Sequence, residues 1–140
     1  MAMFKKVFFL GLVLVFSACT TKQVLVCEKE MYLDPFPDIN GTVITTGEFH
    51  NDRIVKYTNK YVLKITDGEV EEVYRSIKDF YSKEENKILG AEQNFSYGSD
   101  YVYYEVVYNM VNYDDSILEH FGNKEDLRFN LEERDSYRCR

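Results

Sequence analysis

Apolar and polar residues alternate most regularly between Arg53 and Thr66. Val55, Tyr57, Tyr61, Leu63 and Ile65 fall on one side of an extended chain, and Lys56, Thr58, Lys60, Lys64 and Thr66 fall on the other. That period of two predicts a strand with one wet face. Upstream, Val24–Leu33 and the Thr-, Val- and Ile-rich Thr42–Phe49 read as two further strands, separated by a loop, 34–40, that holds both Pro35 and Pro37. His50-Asn51-Asp52 forms the tight connection to the third strand, because Asn and Asp tolerate the left-handed backbone such turns need. The period then changes. Val70, Val73, Tyr74, Ile77, Phe80 and Tyr81 recur at steps of three and four, predicting a helix of four to five turns, capped by Asp67 with acids in its first turns, that ends before Gly90. Ala91–Tyr97 and Asp100–Asn112 read as a hairpin through Gly98-Ser99, with Val102, Tyr104, Val106, Tyr108 and Met110 on one face. A short helix, Asp115–Phe121, is stopped by Gly122, and Asn123 caps a last helix whose inward pair is Leu127 and Leu131. This order, β-β-β-α-β-β-α, predicts an α+β domain: one antiparallel sheet of about five strands with helices on its apolar face.

The N-terminus differs in kind from the rest. Lys5 and Lys6 precede an apolar run from Val7 to Phe16, which is followed by Ser17, Ala18 and Cys19. The run is about half the ~20 residues a membrane-spanning helix needs, so a cleaved secretory signal is the reading and a permanent anchor its alternative. Phe16-Ser17-Ala18-Cys19 resembles the lipobox of bacterial lipoproteins, although Phe16 stands where that motif has Leu, Val or Ile. The resemblance implies cleavage before Cys19, acylation of its sulfur, and anchoring of the protein to the bilayer on the extracytoplasmic side. Residues 1–18 are then the signal peptide, 19–23 the lipidated cysteine and tether, and 24–140 a single folded domain. An ordinary secreted protein is the other outcome. Removing residues 1–18 takes away two lysines and no acid, moving the charge from −7 to −9. An anionic membrane surface repels such a body, so attachment must come from the acyl chains.

With Cys19 acylated, Cys27 and Cys139 remain as an even pair in an oxidising compartment, where a disulfide is expected. The alternative keeps both reduced, Cys27 as a small buried apolar residue and Cys139 at a frayed end. Two lone cysteines without C-x-x-C spacing do not make a metal site, nor do His50 and His120, which have no companion at ligand spacing.

The lipobox at Cys19, the cysteine of Val26-Cys27-Glu28, the Phe49–Ile54 hairpin, the Val70–Tyr81 helix and the terminal Tyr137-Arg138-Cys139-Arg140 together resemble the YehR-like group of small bacterial lipoproteins. The resemblance implies a three-strand meander, a helix, a hairpin and a cysteine near the C-terminus. It brings no activity and no site residues.

Composition narrows the function classes further. An acidic chain with pI near 4.9 and no cluster of Lys and Arg is not a nucleic-acid binder. Asp38-Ile39-Asn40-Gly41 resembles the middle of a calcium loop, but Phe36 and Gly47 occupy the end-ligand positions, so it reads as a turn. Gly98-Ser99-Asp100 lacks the second glycine of a nucleophile elbow. Adjacent acids such as Asp114-Asp115 and Glu132-Glu133 read as solvated charge. No cofactor is expected. The 12 tyrosines are the remaining peculiarity. Tyr101, Tyr103 and Val107 fall on the less apolar side of their strand and form a candidate binding patch, since tyrosine gives contact area at low entropy cost; the bland alternative is β-propensity alone. The expectation is an extracytoplasmic, membrane-anchored, non-catalytic binding or accessory module that meets an envelope protein or a small ligand. The alternative is an envelope hydrolase whose acids or histidines converge only in three dimensions.

Overall fold

The structure is a computed structural model and describes residues 21–33, 36–66 and 68–140. The signal segment, Cys19 and the expected cap Asp67 lie outside the described residues. Six strands, β1 (Lys22–Leu33), β2 (Phe36–His50), β3 (Arg53–Lys64), β4 (Glu92–Tyr97), β5 (Tyr101–Asn109) and β6 (Arg138–Cys139), form one antiparallel sheet in the order β4-β5-β3-β2-β1-β6. Three helices join them: α1 (Val70–Ser82), α2 (Asp115–Phe121) and α3 (Lys124–Asp135). The class is α+β as expected, with six strands rather than about five. The additional strand is the two-residue β6, too short to leave a pattern in sequence.

All three helices cover the same side of the sheet. Ile77 of α1 packs with Leu33, Leu63, Val102, Tyr104 and Val106. Leu118 of α2 and Leu127 and Leu131 of α3 pack with Leu25, Cys27, Phe49, Ile54 and Met110. Because residues of one strand that differ by an even number share a face, these two clusters are the two ends of a single inner face. Among the described residues no helix lies on the other face.

One position breaks the alternation read from sequence. Glu48 pairs with Lys56 but Phe49 pairs with Ile54, so Val55 is an extra residue, a bulge in β3. The side chains of β3 swap faces there. Ile54, not Val55, is buried against Phe49, while Tyr57, Tyr61 and Leu63 keep the inward positions expected of them.

Three element boundaries also move. Residues 36–40, expected as loop, belong to β2; Phe36 and Asn40 pair with β1 on either side of a bulge at 37–39, pairing with β3 begins only at Gly41, and such an irregular strand end tolerates the missing N–H of Pro37. Helix α1 starts after Glu69, which makes no side-chain cap, and ends at Ser82, where Lys83 turns extended at ψ 140°. It stops well short of Gly90 because Lys83-Glu84-Glu85 offers no apolar side chain to bury, and Asn86 Nδ2 donates to the free Phe80 carbonyl at 2.9 Å. The strand Tyr101–Asn109 gives way to a single 3-10 turn, Met110–Asn112, which leaves Met110 buried.

The C-terminal elements follow the sequence closely. Asn123 Oδ1 accepts from the Asp126 N–H and Asp126 Oδ2 from the Asn123 N–H, both at 3.0 Å, a reciprocal cap that starts α3. Ser136 takes a left-handed φ of 61° at the end of α3, and the Tyr137 N–H donates to the Leu131 carbonyl, turning the chain back onto β1. At the opposite end of the sheet order from β4, Arg140 N–H then donates to the Val26 carbonyl at 3.0 Å. The β2–β3 turn has φ of 50° and 62° at Asn51 and Asp52, and it also fastens the start of the described chain: Asn51 N–H donates to the Thr21 carbonyl, and Thr21 N–H donates to Asn51 Oδ1.

Candidate functional site

Cys27 and Cys139 are bridged. They are directly opposed across β1 and β6. The neighbouring Val26–Arg140 pair is the hydrogen-bonded one, so the cysteines occupy the closer, non-hydrogen-bonded pairing. Their Cα separation of 4.0 Å is a little under the usual disulfide range for that reason.

The expected patch lies on the uncovered outer face. Tyr101, Tyr103 and Val107 alternate along β5 with the buried Val102, Tyr104 and Val106. The rings of Tyr101 and Tyr103 stack at 6.2 Å, and the Lys60 ammonium sits 5.0 Å from the Tyr103 ring centre. All three patch residues are half-buried by their neighbours on the sheet. Tyr103 faces Val62 across β3, and Val107 faces Thr58. Beside Tyr101 a hollow of about 610 Å³ is lined by Glu30, Tyr32, Thr42, Val62 and Lys64. Tyr32 is 61% exposed there. Sequence reasoning did not select Tyr32 or Val62. The signal for Val62 was present: it is the apolar residue on the lysine side of β3.

A second constellation occupies the middle of the inner face. One row across the sheet runs Cys139, Cys27, Thr45, Asn59, Val106 and Gln93. Helix α1 lies over β4 and β5, α3 over β1 and β6, and α2 at the Ile54 end of β3. The centre of this row therefore falls between helices, where the two apolar clusters meet. Thr45 is 1% exposed; its hydroxyl donates to Asn59 Oδ1 at 2.7 Å and accepts from the Tyr137 hydroxyl at 3.3 Å. Tyr57 and Tyr61 flank Asn59 on β3, and Tyr108 faces Tyr57 from β5, with rings 6.1 Å apart. Burial pushes the Tyr57 phenol up to about 12, reinforced by the nearby Tyr137 hydroxyl and partly offset by Thr45. Burial also raises Tyr61, with Tyr137 and Tyr108 adding to it, and raises Tyr108 with help from Tyr113. These phenols are neutral at pH 7. Beyond them Tyr104 donates to Gln93 Oε1 at 2.5 Å and stacks between Tyr81 and its strand neighbours Tyr61 and Phe95.

The remaining sequence candidates stand apart. His50 ends β2 and His120 lies in α2, both exposed. Asp115 pairs with Arg53 beside a hollow of about 490 Å³ at the β2–β3 turn. Glu132 and Glu133 are exposed on α3. Among the described residues no group of three or more His, Cys, Asp or Glu side chains is placed to hold a metal ion.

No protein-family model and no curated protein matches the chain. Among solved structures, the NMR structure of the E. coli YehR protein is similar, at 14% identity and a TM-score of 0.47, covering 84% of this chain and 79% of that one.

Proposed function

We propose that the protein is an extracytoplasmic lipoprotein, anchored to the bilayer through acylated Cys19, that works as a non-catalytic binding or accessory module and meets an envelope protein with its outer sheet face. The observation that carries this reading is that face itself. Among the described residues the six-stranded sheet is covered on one side, and the other side presents stacked tyrosines at Tyr101 and Tyr103 next to a hollow edged by the exposed Tyr32. Exposed aromatic surface of this kind favours protein contact. The sequence supplies the address, and the lysines of β3 flanked by Glu28, Glu30 and Glu105 supply a mixed-charge rim.

Two measurements test the two halves. Detergent partitioning and mass spectrometry should find wild type acylated and membrane-bound and Cys19→Ala soluble; a soluble, unacylated wild type refutes the anchor. A photo-crosslinking residue at position 103 in intact cells should give one discrete adduct that disappears with Tyr101→Ala. The same residue at position 133, on the exposed side of α3, should not give it. Indistinguishable products from both positions refute the outer face as the interface.

A further inference from the structure

On the outer face, where β5 begins, the hollow of about 610 Å³ opens between the exposed Tyr32 and the half-buried Tyr101. Its lining carries one carboxylate, Glu30, and one ammonium, Lys64, both on exposed residues. Among the described residues neither side chain forms an ion pair or a hydrogen bond, with the other or with a third group. Elsewhere on this face opposite charges do meet. Glu48 lies 4.0 Å from Lys22 and 3.9 Å from Lys56, and Glu28 lies 4.0 Å from Arg140. Thr42 and Val62 form the floor between Glu30 and Lys64, since Glu30 pairs with Thr42 and Thr42 with Val62 across the sheet. Asn40 adds an amide to the lining. The hollow thus combines an apolar contact, two groups that both donate and accept, and two opposite charges held apart.

An anion in this hollow meets the repulsion of Glu30 and a cation that of Lys64, while an apolar ligand takes water from both charges and returns nothing. A ligand with an ammonium at one end and a carboxylate at the other satisfies the two together. Glu30 stands two strands from Val62, and Lys64 is two residues beyond Val62, which puts their Cα atoms about 12 Å apart at ordinary strand spacing. An extended peptide of two or three residues carries its terminal charges about 7 to 11 Å apart, within reach of both side chains. The phosphoethanolamine group of a lipid bears the same two charges, but with two carbons between them they are too close together to meet both. We infer that this hollow is a binding site for a short zwitterionic peptide with free termini. Glu30 takes its amino terminus and Lys64 its carboxylate; Asn40 and Thr42 bond its amides, and an apolar side chain rests on Val62 between Tyr32 and Tyr101. The hollow adjoins the protein-contact face proposed above and shares Tyr101 with it, but the site needs no protein partner.

The test titrates the full chain, in a nonionic detergent, with alanyl-leucyl-alanine and reads saturation-transfer-difference NMR. The tripeptide should bind saturably. Acetylating its amino terminus and amidating its carboxylate should each weaken binding about two- to fivefold, the size of an exposed ion pair. Glu30→Gln should abolish the effect of acetylation and keep that of amidation, and Lys64→Gln should do the reverse. Glu133→Gln, on α3, should change nothing. Absence of saturable binding by the tripeptide overturns the ligand class. Effects of acetylation and amidation that persist unchanged in Glu30→Gln and Lys64→Gln overturn the site. Tighter binding of glycerophosphoethanolamine than of the tripeptide overturns the peptide in favour of a headgroup. The adduct at position 103 requires no tripeptide and the titrations require no partner protein, so the two readings fail separately.

Discussion

Removing the bridge between Cys27 and Cys139 is the sharpest perturbation this fold offers. The bridge spans 112 residues, nearly the whole described chain. Closing a loop of that length takes about 16 cal/mol/K from the unfolded chain, or about 4.8 kcal/mol at 25 °C in the chain-entropy model. The native state has little to offset this. Cys27 is 1% exposed among Leu25, Phe49 and Leu131, where a thiol is as acceptable as any small apolar group, and β6 contributes just two residues to the sheet. Reduction should therefore leave the fold in place and lower its stability by about 4 to 5 kcal/mol, or about 15 to 20 °C in melting temperature at roughly 4 °C per kcal/mol. Urea unfolding of wild type with and without dithiothreitol measures the first quantity. Hydrogen exchange of the Arg140 amide, which β1 protects, should accelerate ahead of the Leu63 amide in the sheet centre. Cys27→Ala should cost somewhat more than Cys139→Ala, since it also empties core volume. Oxidised and reduced proteins that agree within 1 kcal/mol would refute the loop argument.

Three further outcomes are expected. Gly41→Ala places a methyl 2.6 Å from Leu63 Cδ2 and 3.1 Å from the Val62 carbonyl; Leu63 is fully buried and cannot yield, so about 1–3 kcal/mol should be lost by thermal scanning, whereas Gly98→Ala, with nothing nearer than 4.0 Å, should stay within about 0.5. Asn123→Ala removes the reciprocal cap of α3 and should cost about 1 kcal/mol in urea, and an unchanged midpoint contradicts the cap. The folded Tyr57 phenol sits near 12 against 10 when unfolded, so its contribution is intact below pH 10 and disappears as pH rises to 12. Stability should fall across that window, and Tyr57→Phe should flatten the fall; equal slopes for the two proteins would remove Tyr57 from the account.

Local pattern carried the elements but not their assembly. The alternation of β3 was legible because each side chain reports its own face, yet the swap at Val55 depends on how β2 pairs with it, a non-local property. The end of α1 was legible only as lying before Gly90, because helical propensity in Lys83–Lys87 is adequate while packing, which sustains a surface helix, is absent there. Cys139 was legible as a partner of Cys27 through compartment chemistry, although β6 was not legible as a strand. The polar row on the inner face had a visible trace that went unread: Thr45 and Asn59 are polar residues at inward positions of β2 and β3. What no single strand could show is that the sheet aligns them, and that the turn at Ser136 delivers the Tyr137 hydroxyl onto them.

The clamp between Thr21 and Asn51 sets the posture of the molecule. Thr21 is two residues from Cys19, so for a chain held by lipid at Cys19 the strand end at Thr21, to which the β2–β3 turn is bonded, would stay within about 7 Å of the anchoring point. Such a body would be fastened at one end of its sheet, the end that holds the β2–β3 turn. Tyr101, which pairs with Lys64 at the other end of β3, would then stand about 36 Å along the strand from that turn, so a partner on the tyrosine patch would be met at the end of the sheet away from the tether.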